Sequence, residues 1–175
     1  MNLVRLTTAA VATIVAAATV TAPARASFVD GADHARATIV DATGTAVGFA
    51  VLTEDGPDRV HVNVKVSGLS PGLHGIHVHG VGTCGPDFAA AGGHHNPLGR
   101  AHGAHAGDLP NLIVNDDGQG RLNATVTGFS LSAGPTGAFD ADGSSIIVHA
   151  AQDDFVTQPT GNSGARVACG VVVPD

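Results

Sequence analysis

The chain is poor in positive charge. Its 175 residues hold 8 Lys and Arg against 15 Asp and Glu, and Lys65 is the only lysine. A chain so acidic is repelled by nucleic acid and by anionic membranes, so neither is expected as a stable partner. It also lacks helical periodicity beyond its opening segment, which excludes a helix bundle. No internal repeat and no composition break marks a second domain, and the length suits one core. Cysteine is sparse, with Cys84 and Cys169 alone.

The opening differs from the rest. Arg5 precedes an uncharged run, Leu6 to Ala22, rich in Ala, Val and Thr; Pro23 breaks it, and Ala24-Arg25-Ala26 fits a small-x-small cleavage pattern. Residues 1–26 read as a signal peptide and residues 27–175 as the mature domain. An uncleaved anchor is the other reading of such a run, although it is short and has few large apolar side chains. No Arg-Arg pair and no cysteine lies near the cut, so a twin-arginine route and a lipid anchor find no support. Losing Arg5 and Arg25 leaves six basic residues against 15 acidic, a net charge of −9. An anionic substrate would then have to be drawn in locally, by a metal or an arginine. In a secreted chain the cysteine pair reads first as a disulfide, with two buried thiols as the alternative.

Beyond residue 26 the chain is a succession of short strands and Gly-rich turns. Val60, Val62, Val64 and Val66 alternate with His61, Asn63 and Lys65, the period of a strand with one buried face. Further strands are expected at 35–41, 46–53, 73–79, 112–115, 121–127, 145–150 and 166–173, about eight in all. That pattern fits a sandwich or a closed barrel. Two connections are long, 80–110 and 151–165, and long loops in a compact domain usually carry function.

Ten histidines are present, and their placement is informative. His77 and His79 flank Val78, so a period of two puts both imidazoles on one face, where they can converge on a metal ion; two solvated outward histidines would give the same pattern. His94, His102, His105 and Asp108 come next, within a Gly-rich polar loop. Three imidazoles and a carboxylate make a four-coordinate set suited to zinc. His149 ends the 145–149 strand on the outward parity, with the other candidates. Arg166 follows Gly-rich sequence and precedes Cys169, so its position is expected to be fixed.

Taken together, these residues resemble the copper/zinc superoxide dismutases. The matching segments are Gly72-Leu73-His74-Gly75-Ile76-His77-Val78-His79, Gly93-His94-His95-Asn96-Pro97, His105-Ala106-Gly107-Asp108-Leu109-Pro110-Asn111, Ile147-Val148-His149 and residues 161–170. They come in order and span about 35–173. The resemblance implies an all-β, eight-stranded antiparallel Greek-key barrel, an immunoglobulin-like sandwich with two long functional loops. It implies copper held by His77, His79, His94 and His149, and zinc held by His94, His102, His105 and Asp108, with His94 bridging both ions. It further implies Asp153 linking His77 to His102, Arg166 and His94 as catalytic residues, Thr160 in the substrate channel, and a Cys84–Cys169 disulfide. His74 matches a structural histidine rather than a ligand. The substrate would be superoxide, disproportionated to O2 and H2O2.

The departures are also informative. The stretch from His79 to Cys84 is short where animal members build a dimer contact, which leaves monomer and homodimer both open. His95 stands where the family often has Phe or Tyr and is a candidate stray ligand. Residues 154–160 hold no Lys or Glu, so weaker electrostatic steering is expected. The competing reading is a secreted copper-buffering module on the same barrel. A zinc hydrolase is disfavoured because four protein ligands leave no place for water on the zinc.

Overall fold

A computed structural model describes residues 33–175; the expected signal peptide, 1–26, lies outside the described residues. Within the described residues ten strands run in the order β1 His34–Asp41, β2 Ala46–Glu54, β3 Arg59–Val66, β4 Gly72–His74, β5 Ile76–His79, β6 Leu112–Val114, β7 Gly120–Thr127, β8 Ser145–His149, β9 Arg166–Val171 and β10 Val173–Pro174. A 310 turn, Pro86–Ala91, sits between β5 and β6. Among the described residues no helix is long and apolar enough to cross a membrane.

The ten strands pair antiparallel throughout, in the order β4-β6-β7-β3-β2-β1-β9-β8-β5, with β10 beside β1. The two ends of that order, β4 and β5, are consecutive pieces of one stretch of chain. The sheet therefore closes on itself into a barrel. Taking β4 with β5 and setting β10 aside, the barrel has eight staves, and the jumps from β3 to β4 and from β7 to β8 give it Greek-key connectivity. Closure removes the unpaired edges that an open sheet would expose.

The expected strand 73–79 is two strands because Gly75 changes partners. β4 pairs with β6 and β5 with β8, while the Gly75 N–H donates to the Ala151 carbonyl at 2.8 Å. The last strand is likewise divided, its final residues leaving β9 to pair with β1. A third long connection joins the two expected ones: residues 128–144 link β7 to β8 and bring Phe129 and Leu131 into the core. Glu54 holds that loop, accepting the Leu131 backbone N–H at 2.5 Å.

Alternation builds the core. Val60, Val62, Val64 and Val66 of β3 are buried, with Ala35, Ala37 and Ile39 from β1 and Ile76, Ile146 and Val148 from β5 and β8. On β5 and β8 the other face is buried too, because the long loops cover it. A smaller apolar cluster there packs Phe88 and Ala91 against Ile147 and Cys169. The disulfide Cys84–Cys169 joins the same loop to β9, with Cα atoms 5.8 Å apart.

Candidate metal centre

The covered face of β5 and β8 is where the histidines meet. His77 and His79 stand on it by strand parity, and His149 joins them at the end of β8, where the register with β9 shifts. Loop 80–110 lies directly on β5 through backbone bonds. The Val78 N–H donates to Gly107 O at 2.9 Å, the His95 N–H to Val78 O at 2.8 Å and the Gly80 N–H to Gly93 O at 3.0 Å. His94 is thereby set opposite His79, and Asp108 opposite His77.

Two ligand sets result. In each of His77, His79, His94, His149 and His94, His102, His105, Asp108, one ligand atom per residue lies within 4.8 Å of the others. His94 belongs to both. Its Nδ1 lies 2.9 Å from Asp108 Oδ1 and 3.3 Å from His105 Nδ1, while its Nε2 faces the first set. His102 Nδ1 and His105 Nδ1 approach Asp108 Oδ1 at 3.4 and 3.2 Å. The rings of His77 and His94 stack at 3.8 Å.

The tautomers are set from outside the cluster. His77 Nε2–H donates to Asp153 Oδ2 at 2.6 Å and His102 Nε2–H to Asp153 Oδ1 at 2.8 Å. His79 Nδ1–H donates to Gly92 O at 2.9 Å and His149 Nδ1–H to Gly164 O at 3.2 Å. Each ring is left with one bare nitrogen. His77 Nδ1, His79 Nε2, His94 Nε2, His102 Nδ1 and His149 Nε2 are all buried without a hydrogen-bond partner. Orphaned polar atoms in a protein interior are costly, and these converge on two points. Bare, outer-braced imidazoles of this kind are the usual form of metal-binding histidines. The donor sets fit two cations.

Protonation agrees. Burial, with the charge of His94 adding to it, lowers His77 to about 3. Burial likewise lowers His79 to about 2 and His149 to about 4. Burial would raise Asp108, but the hydrogen bonds from His94 and the His105 backbone and the charges of His102 and His105 hold it at about 2. For Asp153 too, burial is outweighed by the bonds from His102 and His77, and its carboxyl titrates below the usual range. At neutral pH these imidazoles are uncharged and both carboxylates ionised, the state that binds metal without first shedding protons.

A cleft of about 450 Å³ opens onto His79, His94 and His149, lined also by Thr160 and Arg166. The Arg166 guanidinium donates through Nη1 to Phe88 O and through Nη2 to Gly92 O. Those carbonyls belong to the 310 turn and its end, which the disulfide ties to Arg166's own strand. Every residue assigned from the sequence thus lies in or beside one site. His95 belongs to neither set: its ring packs edge-on against Phe129 at 5.2 Å with Nε2 toward Thr136 O. His74 bonds the His149 carbonyl at 2.7 Å and stays outside both sets.

Sequence reasoning missed the braces. Asn111 clamps the Asp153 backbone, its Oδ1 accepting the Asp153 N–H at 2.7 Å and its Nδ2 donating to the Asp153 carbonyl at 2.9 Å. The carbonyls of Phe88, Gly92 and Gly164 carry no side-chain signature. Gly161 packs against Asp153 and His102 so closely that no side chain fits.

Known proteins match this architecture. Residues 46–172 fit the family model of copper/zinc superoxide dismutase. The chain is 41% identical over 160 residues to a Cu-Zn superoxide dismutase of Deinococcus radiodurans, 81% of this chain and 85% of that one. It is 40% identical over 144 residues to the superoxide dismutase-like protein YojM of Bacillus subtilis, 77% of this chain and 74% of that one. The crystal structure of a SOD-like protein from Bacillus subtilis superposes with a TM-score of 0.74 at 38% identity, covering 79% of this chain and 97% of that one. A shared barrel, a shared span and these identities place the chain in the copper/zinc superoxide dismutase family.

Proposed function

We propose that the protein is an active superoxide dismutase, with copper held by His77, His79, His94 and His149 and zinc by His94, His102, His105 and Asp108. The observation that carries this reading is His94, whose two ring nitrogens face two separate buried ligand sets. Bound copper would supply one-electron cycling, oxidising one superoxide to O2 and reducing a second, with two protons, to H2O2, while redox-inert zinc would stabilise the shared imidazolate.

The chain's own residues do the rest. Two of the Arg166 donors are committed to carbonyls, which fixes the guanidinium plane and leaves its other N–H groups to meet an anion in the cleft. In a chain of net charge −7 before processing, that local cation is what draws a small anion inward. Thr160 lines the approach. When unligated, the bare Nε2 of His94 would hold a proton beside the cleft, within reach of an anion bound there. Asp153 keeps His77 and His102 in register, so the placement of one ligand set depends on that of the other.

A copper-buffering protein would need the same ligands but has no use for a guanidinium fixed over the cleft. His149→Ala tests the copper set: copper and superoxide removal are lost together while zinc is retained. A fully metallated wild-type protein that left superoxide at its spontaneous rate of decay would establish the buffer. We also propose that the protein works outside the cytosol after loss of residues 1–26; a disulfide, which persists in oxidising compartments, supports that reading.

A further inference from the structure

The outer face of β1, β2, β3, β4, β6 and β7 carries a pattern the metal site does not use. The strand registers align one row of outward side chains across six strands: Thr38, Phe49, Lys65, Arg121, Ile113 and Leu73. The next row is Arg36, Val51, Asn63 and Asn123, and the one beyond it is His34, Thr53, His61 and Thr125. No Asp or Glu occupies any of these positions, although acidic residues outnumber basic ones 15 to 8 in the chain.

Lys65 and Arg121 stand directly opposite each other, and like charges so placed oppose folding unless something neutralises them. Arg36 meets Asp175 at 3.3 Å and Arg59 meets Asp55 at 2.8 Å. Among the described residues, Lys65 and Arg121 have no such carboxylate. Open apolar side chains flank the pair: Phe49 is 47% exposed, Ile113 65% and Leu73 44%. Two depressions border it, one of about 270 Å³ against Phe49 and Lys65 and one of about 400 Å³ against Ile113 and Arg121.

We propose that this wall docks an acidic polypeptide segment whose carboxylates alternate with apolar side chains. Carboxylates from such a segment would neutralise the Lys65–Arg121 pair while its apolar side chains covered Phe49 and Ile113. Apolar area supplies affinity in such contacts, and charge supplies orientation and selectivity. An anionic bilayer is the weaker fit, because its extended surface meets the chain's net charge of −7 as well as Arg121 and Lys65, whose ammonium lies 5.9 Å over the Phe49 ring. A short segment senses only charges within a screening length of about 8 Å.

The test is an NMR titration of the metallated protein with a ten-residue peptide alternating Glu and Leu, and with its Gln-for-Glu counterpart. The Glu peptide should give saturable shifts at Phe49, Lys65, Arg121 and Ile113 that weaken with salt. The Gln peptide, and the Lys65→Glu/Arg121→Glu variant titrated with the Glu peptide, should each bind about tenfold more weakly or worse. Superoxide removal by that variant should be unchanged, since neither Lys65 nor Arg121 lines the cleft. Lys65→Gln/Arg121→Gln serves if charge reversal disturbs folding, and should itself be more stable than wild type. Equal binding of both peptides, or shifts confined to other surfaces, would overturn the proposal. So would shifts on this wall with phosphatidylglycerol vesicles but not with the Glu peptide, or self-association of the wild type through it.

Discussion

Gly161→Ala tests the link between the carboxylate brace and the ligand sets with one methyl group. Gly161 has φ +64°, and a Cβ there would lie 2.5 Å from Asp153 Cγ and closer still to Asp153 Oδ1 and His102 Nε2. The residue has little freedom to move away, because its N–H donates to Thr157 O at 2.7 Å and its carbonyl accepts from the Asp154 N–H at 2.9 Å. The carboxylate must therefore retreat, breaking its 2.8 Å bond with His102. Left-handed backbone costs about 1–2 kcal/mol for alanine, overpacking about 1–3 and a lost charged hydrogen bond about 1.5–3, so the loss should reach about 4 kcal/mol or more. Zinc affinity should fall about 10–100-fold, since His102 loses the partner that aims its Nδ1. Gly44→Ala is the control: its φ is +83° but nothing lies within 4 Å of the added methyl. It should cost about 1–2 kcal/mol and leave metal binding alone. Urea unfolding and chelator competition read both quantities. Equal costs for the two variants, or unchanged zinc affinity in Gly161→Ala, would refute the reasoning.

Glu54→Ala should destabilise by about 1.5–3 kcal/mol in urea unfolding, because the buried Leu131 N–H loses a charged acceptor and the 128–144 loop its tether. The metal-free protein should weaken in acid. His77, His79 and His149 take up protons near 6.5 when unfolded but only near 3, 2 and 4 when folded, so the unfolded chain gains protons first as pH falls below about 6.5. Each contributes at most about 1.4 kcal/mol per pH unit in that window, and Asp108, held at about 2, adds a loss of the same sign below about 4. Stability of the apo protein that stays flat from pH 7 to 5 would contradict those burial effects. Reducing Cys84–Cys169, which closes an interval of 85 residues, should cost about 4.5 kcal/mol in the chain-entropy model and loosen the turn that anchors Arg166; thermal unfolding with and without reductant measures the first.

The features legible in the sequence are those with a local period. The alternation of β3 and the parity of His77, His79 and His149 follow from a strand repeat of two residues, which needs no knowledge of neighbours. The Gly-rich spacing of His94, His102, His105 and Asp108 is equally local. Features that were not legible depend on contacts distant in the chain. Gly75 divides one expected strand because β6 and β8 compete for it, a fact visible only once both are in place. The 128–144 loop shows no period, and its role as a core plug depends on Glu54, 77 residues before Leu131. The anchors of Arg166 are backbone carbonyls, which any residue type supplies.

The change of partners at Gly75 ties assembly to chemistry. The stave that seals the barrel is the one that carries His77 and His79, so the cylinder cannot be shut without bringing those two rings up to His149. A cation arriving early would find its donors scattered along an unzipped seam. One arriving late would bridge β5 and β8 across that seam.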